Sequence, residues 1–541
     1  MEAYLDSFDF VIVGAGTAGC CLAYRLAEGG YSVCVLEAGP EDSNPYIRIP
    51  SGIMKISSDP RITWQFQMEG DPKTKERKFP VFLGKTLGGS SAINGMAYNR
   101  GQRSDYDGWA SKGNDGWDYQ SVLPYFRKSE NYVSGGDDQY RGRRGPIPIE
   151  ILQSKDPISD RFIKGAVETG IPFTEDYNGA EQEGVSYLQG AIYKGKRWSS
   201  AHGYLHPAKR RFGVDVRTGC LAERISVSEG RATGVEYSRS GDPALRTVHA
   251  KRSVIVSAGA TLSPTLLQRS GIGSSKLLNE MGIPVVLDLP GVGQNFSDHY
   301  SVRMVARIRG GLGTINERAR GAPLVREIIK WALGRPSVLT QQSMSVFTFC
   351  KLDPKSPETD YSLMFLPAAL KAGMTRRLDD FPGVTGGAWQ MRPESRGYIY
   401  LRSRNPQDAP IIFPNYLDAE IDRQILVAAI KHLARVFRSM PMREIVQQIT
   451  LPATECSNDD EWLDYIRSYG MTSYHPAGTC KMGPSSDPMA VLDARLRVHG
   501  IDGLRVVDAS MMPTQPSGNL NAAVMMIGEK AADMILEDVR A

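Results

Sequence analysis

The sequence predicts an α/β protein: a Rossmann-like nucleotide-binding domain, with a mixed α+β domain built on an antiparallel sheet. Three observations carry this. An apolar run near the start flows into a glycine-rich turn and a helix-forming segment. Between Tyr300 and about Ser486 the texture changes to alternating, sheet-like stretches. The chain then returns through an apolar run that ends on Asp508 to a last helix from about Ala522.

In the first element, Phe10 to Val13 is continuously apolar, as a strand buried on both faces must be. Gly14, Gly16 and Gly19 follow with the G-x-G-x-x-G spacing. The first suits a tight turn, the second close approach to a pyrophosphate, the third helix-on-strand packing. Cys20 to Glu28 suits a helix, Tyr31 to Leu36 a second buried strand, and Glu37 ends that strand 18 residues past Gly19. A carboxylate there accepts from ribose hydroxyls and repels a 2′-phosphate, so FAD or NAD is favoured over NADP. A flavodoxin-like turn that binds no dinucleotide is the plain alternative.

At 541 residues the chain exceeds what one core supports, so two domains or a large insertion are expected. Mean hydropathy is −0.30, and a net charge of +4 is mild. With no arginine-rich tract, nothing here resembles a nucleic-acid footprint. No apolar run reaches the roughly 18 to 20 residues that span a bilayer. The first apolar stretch is already the buried strand, which leaves no room for a signal peptide before it. Cysteines 20, 21, 34, 220, 350, 456 and 480 are scattered, odd in number and without metal-ligand spacing. They read as reduced core thiols of a cytoplasmic protein, and no metal site is expected.

From Glu37 to about Lys78 the chain is loop-rich, broken by Pro40, Pro45, Pro50 and Pro60, with Trp64 in a strand-like run. Gly84 to Met96 (GKTLGGSSAINGM) is rich in small residues, which let backbone lie against a flat ring or a phosphate. Val214 to Thr218 and Ala232 to Tyr237 alternate as antiparallel strands would, and Ser253 to Gly259 is a buried strand running into a glycine turn. YSLMF (361–365) and GYIYLR (397–402) suggest a sheet, and Asp422 to Met440 an amphipathic helix.

These stretches together resemble the glucose-methanol-choline (GMC) oxidoreductase family. The carriers are Gly14-x-Gly16-x-x-Gly19 with Glu37, GKTLGGSSAINGMAYNRG (84–101), and SAGATLSPTLLQRSGIG (257–273). The resemblance runs from about Phe8 to Asp533. RWSSAHGYLHP (197–207) and SYHPAGTCKMG (473–483) are similar to the bacterial choline dehydrogenase-like and aliphatic alcohol dehydrogenase branch. It implies an FAD domain at 1–156, 196–300 and 487–541, and a substrate domain at 157–195 and 301–486. By resemblance, FAD would be held by Gly14, Gly16, Thr17, Ala18 and Gly19 of the first turn, with Glu37 and Ala38 after the second strand. Gly88, Gly89, Ser91, Asn94, Gly95 and Met96 of the small-residue loop would join them. Ala222, Ala258, Gly259, Asp508, Ala509 and Asn519 complete the implied set.

His475 precedes a proline and small residues, as in a fixed loop facing a site. Near neutral pKa, a histidine can take an alcohol's hydroxyl proton as hydride leaves the carbon. The resemblance aligns it with the family's catalytic histidine. Counting back from MMIGE (525–529) puts the family's second active-site residue on Asn521, whose amide can donate to the substrate oxygen. Asn521 could also cap the last helix. Asn519 is expected only to face the flavin. His299 is read as structural, and His202, His206, His249, His432 and His499 have no catalytic context. Trp64, Phe347, Phe365 and Trp389 are pocket candidates, each of a type more often found in a core, and Tyr474 is the best candidate for a pocket wall.

Where some relatives carry a histidine bonded to the flavin, this chain has Ile93, which implies non-covalent FAD. Gly95 stands where some choline-oxidising relatives have serine, and no anionic or aromatic cage for a quaternary ammonium is evident. Pro323 to Arg335 (PLVREIIKWALGR) suits an amphipathic helix, expected to cover the substrate domain. Resting on a membrane surface beside a quinone is the alternative, with the inner membrane surface as its place.

The reading is therefore FAD-dependent oxidation of a primary alcohol to an aldehyde, with His475 as base. Electrons would pass to a quinone or another carrier rather than to oxygen. An oxidase of aryl or furan alcohols is the runner-up, and a flavin-binding protein without turnover the reading from another class. A photodecarboxylase-like chemistry is disfavoured because such relatives lack the histidine at 475.

Overall fold

The computed structural model describes residues 6–152, 155–373 and 377–540. Its first sheet has seven strands, in the order Asp215–Arg217, Val33–Leu36, Ser7–Val13, Asp242–Val256, Arg231–Arg239 and Cys220–Ser228, with Leu504–Val506 also paired to Asp242–Val256. The strand Asp242–Val256 joins two kinds of sheet. Its first half pairs antiparallel with Arg231–Arg239, while its second half runs parallel to both Ser7–Val13 and Leu504–Val506. Phe10, Val11 and Ile12 are completely buried at the centre, each contributing about 1.5–3 kcal/mol of apolar burial. The segment 214–218, expected from its alternation to be antiparallel, instead lies parallel to the second strand, Asp215 opposite Cys34. It is an edge strand whose residues are all half-buried, and a parallel strand exposed in that way alternates like an antiparallel one.

At the end of the first strand, Gly14 has φ +100°, and a Cβ there would sit 2.5 Å from the carbonyl oxygen of Ser257. Only glycine lets these two strand ends approach so closely. The helix Thr17–Glu28 follows and packs against the last helix, Leu520–Arg540. Between them Glu529, fully buried, accepts from Arg25 Nε at 2.7 Å and from the Tyr204 hydroxyl at 2.8 Å, with Lys128 Nζ at 3.4 Å.

The second sheet is antiparallel: Val446–Leu451, Tyr300–Ile308, Gly383–Gln390, Tyr361–Leu366, Val346–Phe349 and Gly184–Tyr187, with Met471–Thr472 beside Tyr300–Ile308. The helix Glu420–Arg438 lies across it, burying Ile425, Ala429, Leu433 and Phe437. The short helix Gly321–Ala332 departs from expectation. Its one buried residue is Glu327, which pairs with Arg318 and Lys330 at 2.8 Å and accepts from the backbone N–H of Val338. The helix therefore turns its charged anchor inward and leaves Val325, Ile328, Ile329 and Leu333 exposed. No helix among the described residues is long and apolar enough to cross a membrane.

Candidate active site

Two chain segments run antiparallel at the junction of the sheets. Tyr300 pairs with Thr472, Ser473 N–H donates to the His299 carbonyl at 2.9 Å, and Ser297 pairs with Ala477. This ladder sets His299 and His475 side by side. Asp298 secures the turn. It accepts from His475 N–H at 2.8 Å, from Thr472 Oγ1 at 2.5 Å and from the Tyr416 hydroxyl. Tyr474, in the left-handed region at φ +61°, makes the sharp bend before His475.

The hydrogen bonds decide which histidine nitrogen carries a proton. His299 Nε2 lies 2.7 Å from the carbonyl oxygen of Met391, which can only accept, so Nε2 is protonated. In the neutral ring Nδ1 is then the acceptor. It faces His475 Nδ1 at 3.0 Å, so His475 carries its proton on Nδ1 and keeps a bare lone pair on Nε2. Burial and the neighbouring imidazole hold His475 well below the usual histidine range, and burial pushes His299 down to about 4. Both rings are neutral, and His475 Nε2 is the basic atom.

Asn519 Nδ2 donates to that nitrogen at 3.1 Å. The partner expected from the sequence, Asn521, is instead engaged elsewhere, accepting at Oδ1 from Thr17 Oγ1 at 2.8 Å. Both asparagines border the same cavity, but they lie one on either side of Leu520, the first residue of the last helix, and only Asn519 reaches the histidine.

A single cavity of about 400 Å³ runs from the glycine turn to His475. Its wall includes Gly14, Gly16, Thr17, Ala18, Glu37, Ala38, Gly89, Asn94, Gly95 and Met96, together with Ala222, Ala258, Gly259, Asp508, Ala509, Asn519 and Asn521. Trp64, Phe347, Trp389 and Tyr474 also line it. Phe365 does not: it is completely buried and stacks on Phe162, ring centres 4.3 Å apart, on the far side of the second sheet. Gly19, Gly88 and Ser91 lie behind the wall. Ser91 Oγ donates to the Gly88 carbonyl at 2.6 Å and accepts from Ser200 N–H, which shapes the loop rather than lining the cavity. Sequence reasoning missed Asp298 and the role of His299, since nothing local marks a histidine whose partner is 176 residues away.

Models of the two halves of the GMC oxidoreductase fold match residues 8–301 and 393–528. The chain belongs to the GMC oxidoreductase family. An oxygen-dependent choline dehydrogenase from Vibrio vulnificus is 38% identical over 98% of this chain and 94% of that protein. A mitochondrial choline dehydrogenase from Homo sapiens is 37% identical, covering 98% and 90%. Among solved structures, a formate oxidase from Aspergillus oryzae superposes over 100% of both chains with TM-score 0.92 at 26% identity. A pyridoxine 4-oxidase from Mesorbium loti gives TM-score 0.87 at 28% identity, covering 97% and 98%. The GMC chain is thus an FAD-dependent oxidoreductase acting on CH–OH donors.

The residues present fit FAD. Glu37 is buried, its carboxylate accepting from Ala15 N–H at 2.9 Å and Gly39 N–H at 2.8 Å, with further lone pairs available for ribose hydroxyls. Burial pushes it up to about 7. Gly259, at φ +85°, would place a Cβ in open space, so bare backbone borders the cavity there. Asp508 accepts from Gly259 N–H at 2.8 Å and from Ser263 Oγ at 2.5 Å, which holds that turn open.

Proposed function

We propose that the chain oxidises a primary alcohol that carries an apolar, uncharged tail to the aldehyde, with non-covalent FAD. The supporting observation is the unprotonated His475 Nε2, which accepts from the Asn519 amide in a histidine that borders the cavity. A hydroxyl entering here donates its hydrogen to Nε2. The displaced Asn519 N–H then donates to the same oxygen, orienting the alcohol and stabilising the alkoxide character that develops. FAD, when bound, supplies the acceptor for the hydride that leaves the α-carbon. Non-covalent attachment is supported by Ile93, which borders the cavity and offers no nucleophile.

The substrate side of the cavity is lined by Val302, Met344, Phe347, Met364, Leu366 and Trp389, with Arg303 among them; Asp298, the carboxylate held against His475 N–H, is turned to Thr472 and Tyr416 and is not part of that lining. That lining suits an alkyl or aryl tail and opposes a quaternary ammonium. The acceptor we propose is a quinone or carrier rather than oxygen. The exposed apolar row Val325, Ile328, Ile329 and Leu333, flanked by Arg326, Lys330 and Arg335, suits contact with an anionic bilayer in which a quinone dissolves. A second reading, an aryl-alcohol oxidase, draws on the aromatic wall of Phe347, Trp389 and Tyr474 and on a fungal aryl-alcohol oxidase with TM-score 0.86 at 25% identity.

Anaerobic bleaching of the flavin band across aliphatic, aryl and quaternary-ammonium alcohols tests the substrate class. Admitting air, then a short-chain quinone, tests the acceptor. Bleaching by aliphatic alcohols with rapid return only on quinone supports the proposal. Bleaching by choline overturns the substrate class, and rapid return with peroxide in air overturns the acceptor.

A further inference from the structure

Outside the catalytic cavity, Asp42, His202 and His206 bring three ligand atoms within 4.8 Å of one another. Asp42 follows the second strand. His202 lies in a π-helical turn, Ala201–Leu205, that runs directly into the helix His206–Phe212. The four-residue spacing across that wide turn stacks both imidazoles on one side, their centres 5.3 Å apart and their planes at 90°. His206 Nε2 lies 2.9 and 3.1 Å from the two carboxylate oxygens of Asp42. His202 Nδ1 lies 3.7 Å from Oδ2, too far for a hydrogen bond, and it is buried with no hydrogen-bond partner.

A buried imidazole nitrogen left unpaired beside a carboxylate calls for an explanation. The Asp42 side chain is only 6% exposed, and among the described residues its ion-pair partners are these two histidines alone. Arg48 lies over the Trp198 ring and Lys209 pairs with Glu41. Nitrogen and oxygen ligands on a tetrahedral cation are about 3.3 Å apart, a value bracketed by the 2.9 and 3.7 Å separations here.

From this geometry we infer that Asp42, His202 and His206 form a binding site for a borderline divalent cation of the Zn²⁺ class. Two imidazoles and one carboxylate are the donor set such ions take. The histidines are 27% and 23% exposed, so solvent can fill the remaining position. The cation would tie the loop after the second strand to the turn carrying Ala201, which lies against Gly88, and Ser200, whose N–H donates to Ser91 Oγ. It would thereby stiffen the backing of the small-residue loop from outside the chemistry.

The test uses FAD-loaded protein stripped with a chelator, dialysed against Zn²⁺ and assayed for bound metal, with thermal unfolding followed in parallel. Wild type should take up one Zn²⁺ per chain and unfold at higher temperature with it. Asp42→Asn and His206→Gln should lose affinity by roughly tenfold or more and lose the thermal shift, with flavin content unchanged. His202→Asn leaves the Asp42–His206 hydrogen bond intact and keeps the test decisive if the other variants fold poorly. His249→Gln, at a distant histidine, serves as control. Uptake equal in wild type and His202→Asn would mean that the ion binds without this cluster, no uptake by wild type would mean a hydrogen-bonded Asp42–His206 pair only, and either result would overturn the inference.

Discussion

His299 Nδ1 lies 3.0 Å from His475 Nδ1, and because Met391 takes the other His299 proton, one imidazole dictates the tautomer of the other. His299→Leu removes the acceptor and lets the His475 proton move to Nε2, where it blocks the base. We expect flavin reduction by alcohol to fall about 10–100-fold at unchanged FAD content, by analogy with loss of a group that orients a histidine. His475→Ala should lose about 10²–10⁴-fold, the usual contribution of a general base. Stopped-flow reduction measures both. Equal rates in His299→Leu and wild type would remove the tautomer from the mechanism. His299→Gln, which restores an acceptor, should recover part of the rate.

Asn519→Ala should slow reduction more than Asn521→Ala, because only the former reaches His475 Nε2. Loss of one such donor typically costs about 10²–10³-fold. Asn521→Ala should act instead on FAD retention, through release of the Thr17 hydroxyl. The reverse order, read from reduction rates and flavin content together, would return the catalytic role to Asn521.

Burial shifts the two groups in opposite directions, His475 down and Glu37 up. His475 is held neutral well below the ordinary histidine range, so the reduction rate should stay level as pH falls through about 6.5. Glu37 sits near 7 before FAD binds. Its carboxylate form accepts from ribose, whereas protonation removes an acceptor, so FAD affinity should weaken as pH falls below about 7, by up to about tenfold per unit. Fluorescence titration of apoprotein measures this. Glu37→Gln should bind more weakly throughout and lose the slope.

A Cβ on Gly95 would sit 2.1 Å from Ser343 Oγ, a residue of the second sheet's approach that shares the cavity wall. Gly95→Ser alone should therefore disturb the pocket, and Ser343→Gly should relieve it. We expect the double variant to recover substrate binding lost in Gly95→Ser, a non-additive coupling that a double-mutant cycle on the apparent alcohol affinity reads directly. Additivity would mean the two residues do not meet.

Removal of the Glu529 carboxylate should be costly. Glu529→Ala leaves Arg25, 15% exposed, without its buried partner and should lower stability by about 3–5 kcal/mol, read as a shift in the denaturant midpoint.

The elements that sequence made legible are those with local causes. The run Phe10 to Val13, the turn at Gly14 and the last helix each declare themselves within a dozen residues, and the family signatures lie in the same stretches. What escaped depended on partners distant in sequence. The direction of Asp215–Arg217 is set by Val33–Leu36, 179 positions earlier at its closest. Phe365 alternates like its neighbours, and only the presence of Phe162 behind it says which face is core. Asn519 and Asn521 are two residues apart, and no local pattern says which is level with His475. The helix Gly321–Ala332 shows its apolar stripe plainly, yet the stripe does not reveal that Glu327 is the face held down.

The first sheet draws its central strand from residues 7–13 and one of its outer parallel strands from residues 504–506. On the ribosome, the glycine turn therefore emerges hundreds of residues before Asp508 and Asn519, the groups that close the far side of its cavity. Contacts of such separation form late. Flavin capture must accordingly wait until the segment bearing Asp508 and Asn519 has been made, and the nascent protein has to reach that moment without its cofactor's help. Until then the surfaces that face the cavity stay open to chaperones and proteases before they meet any alcohol.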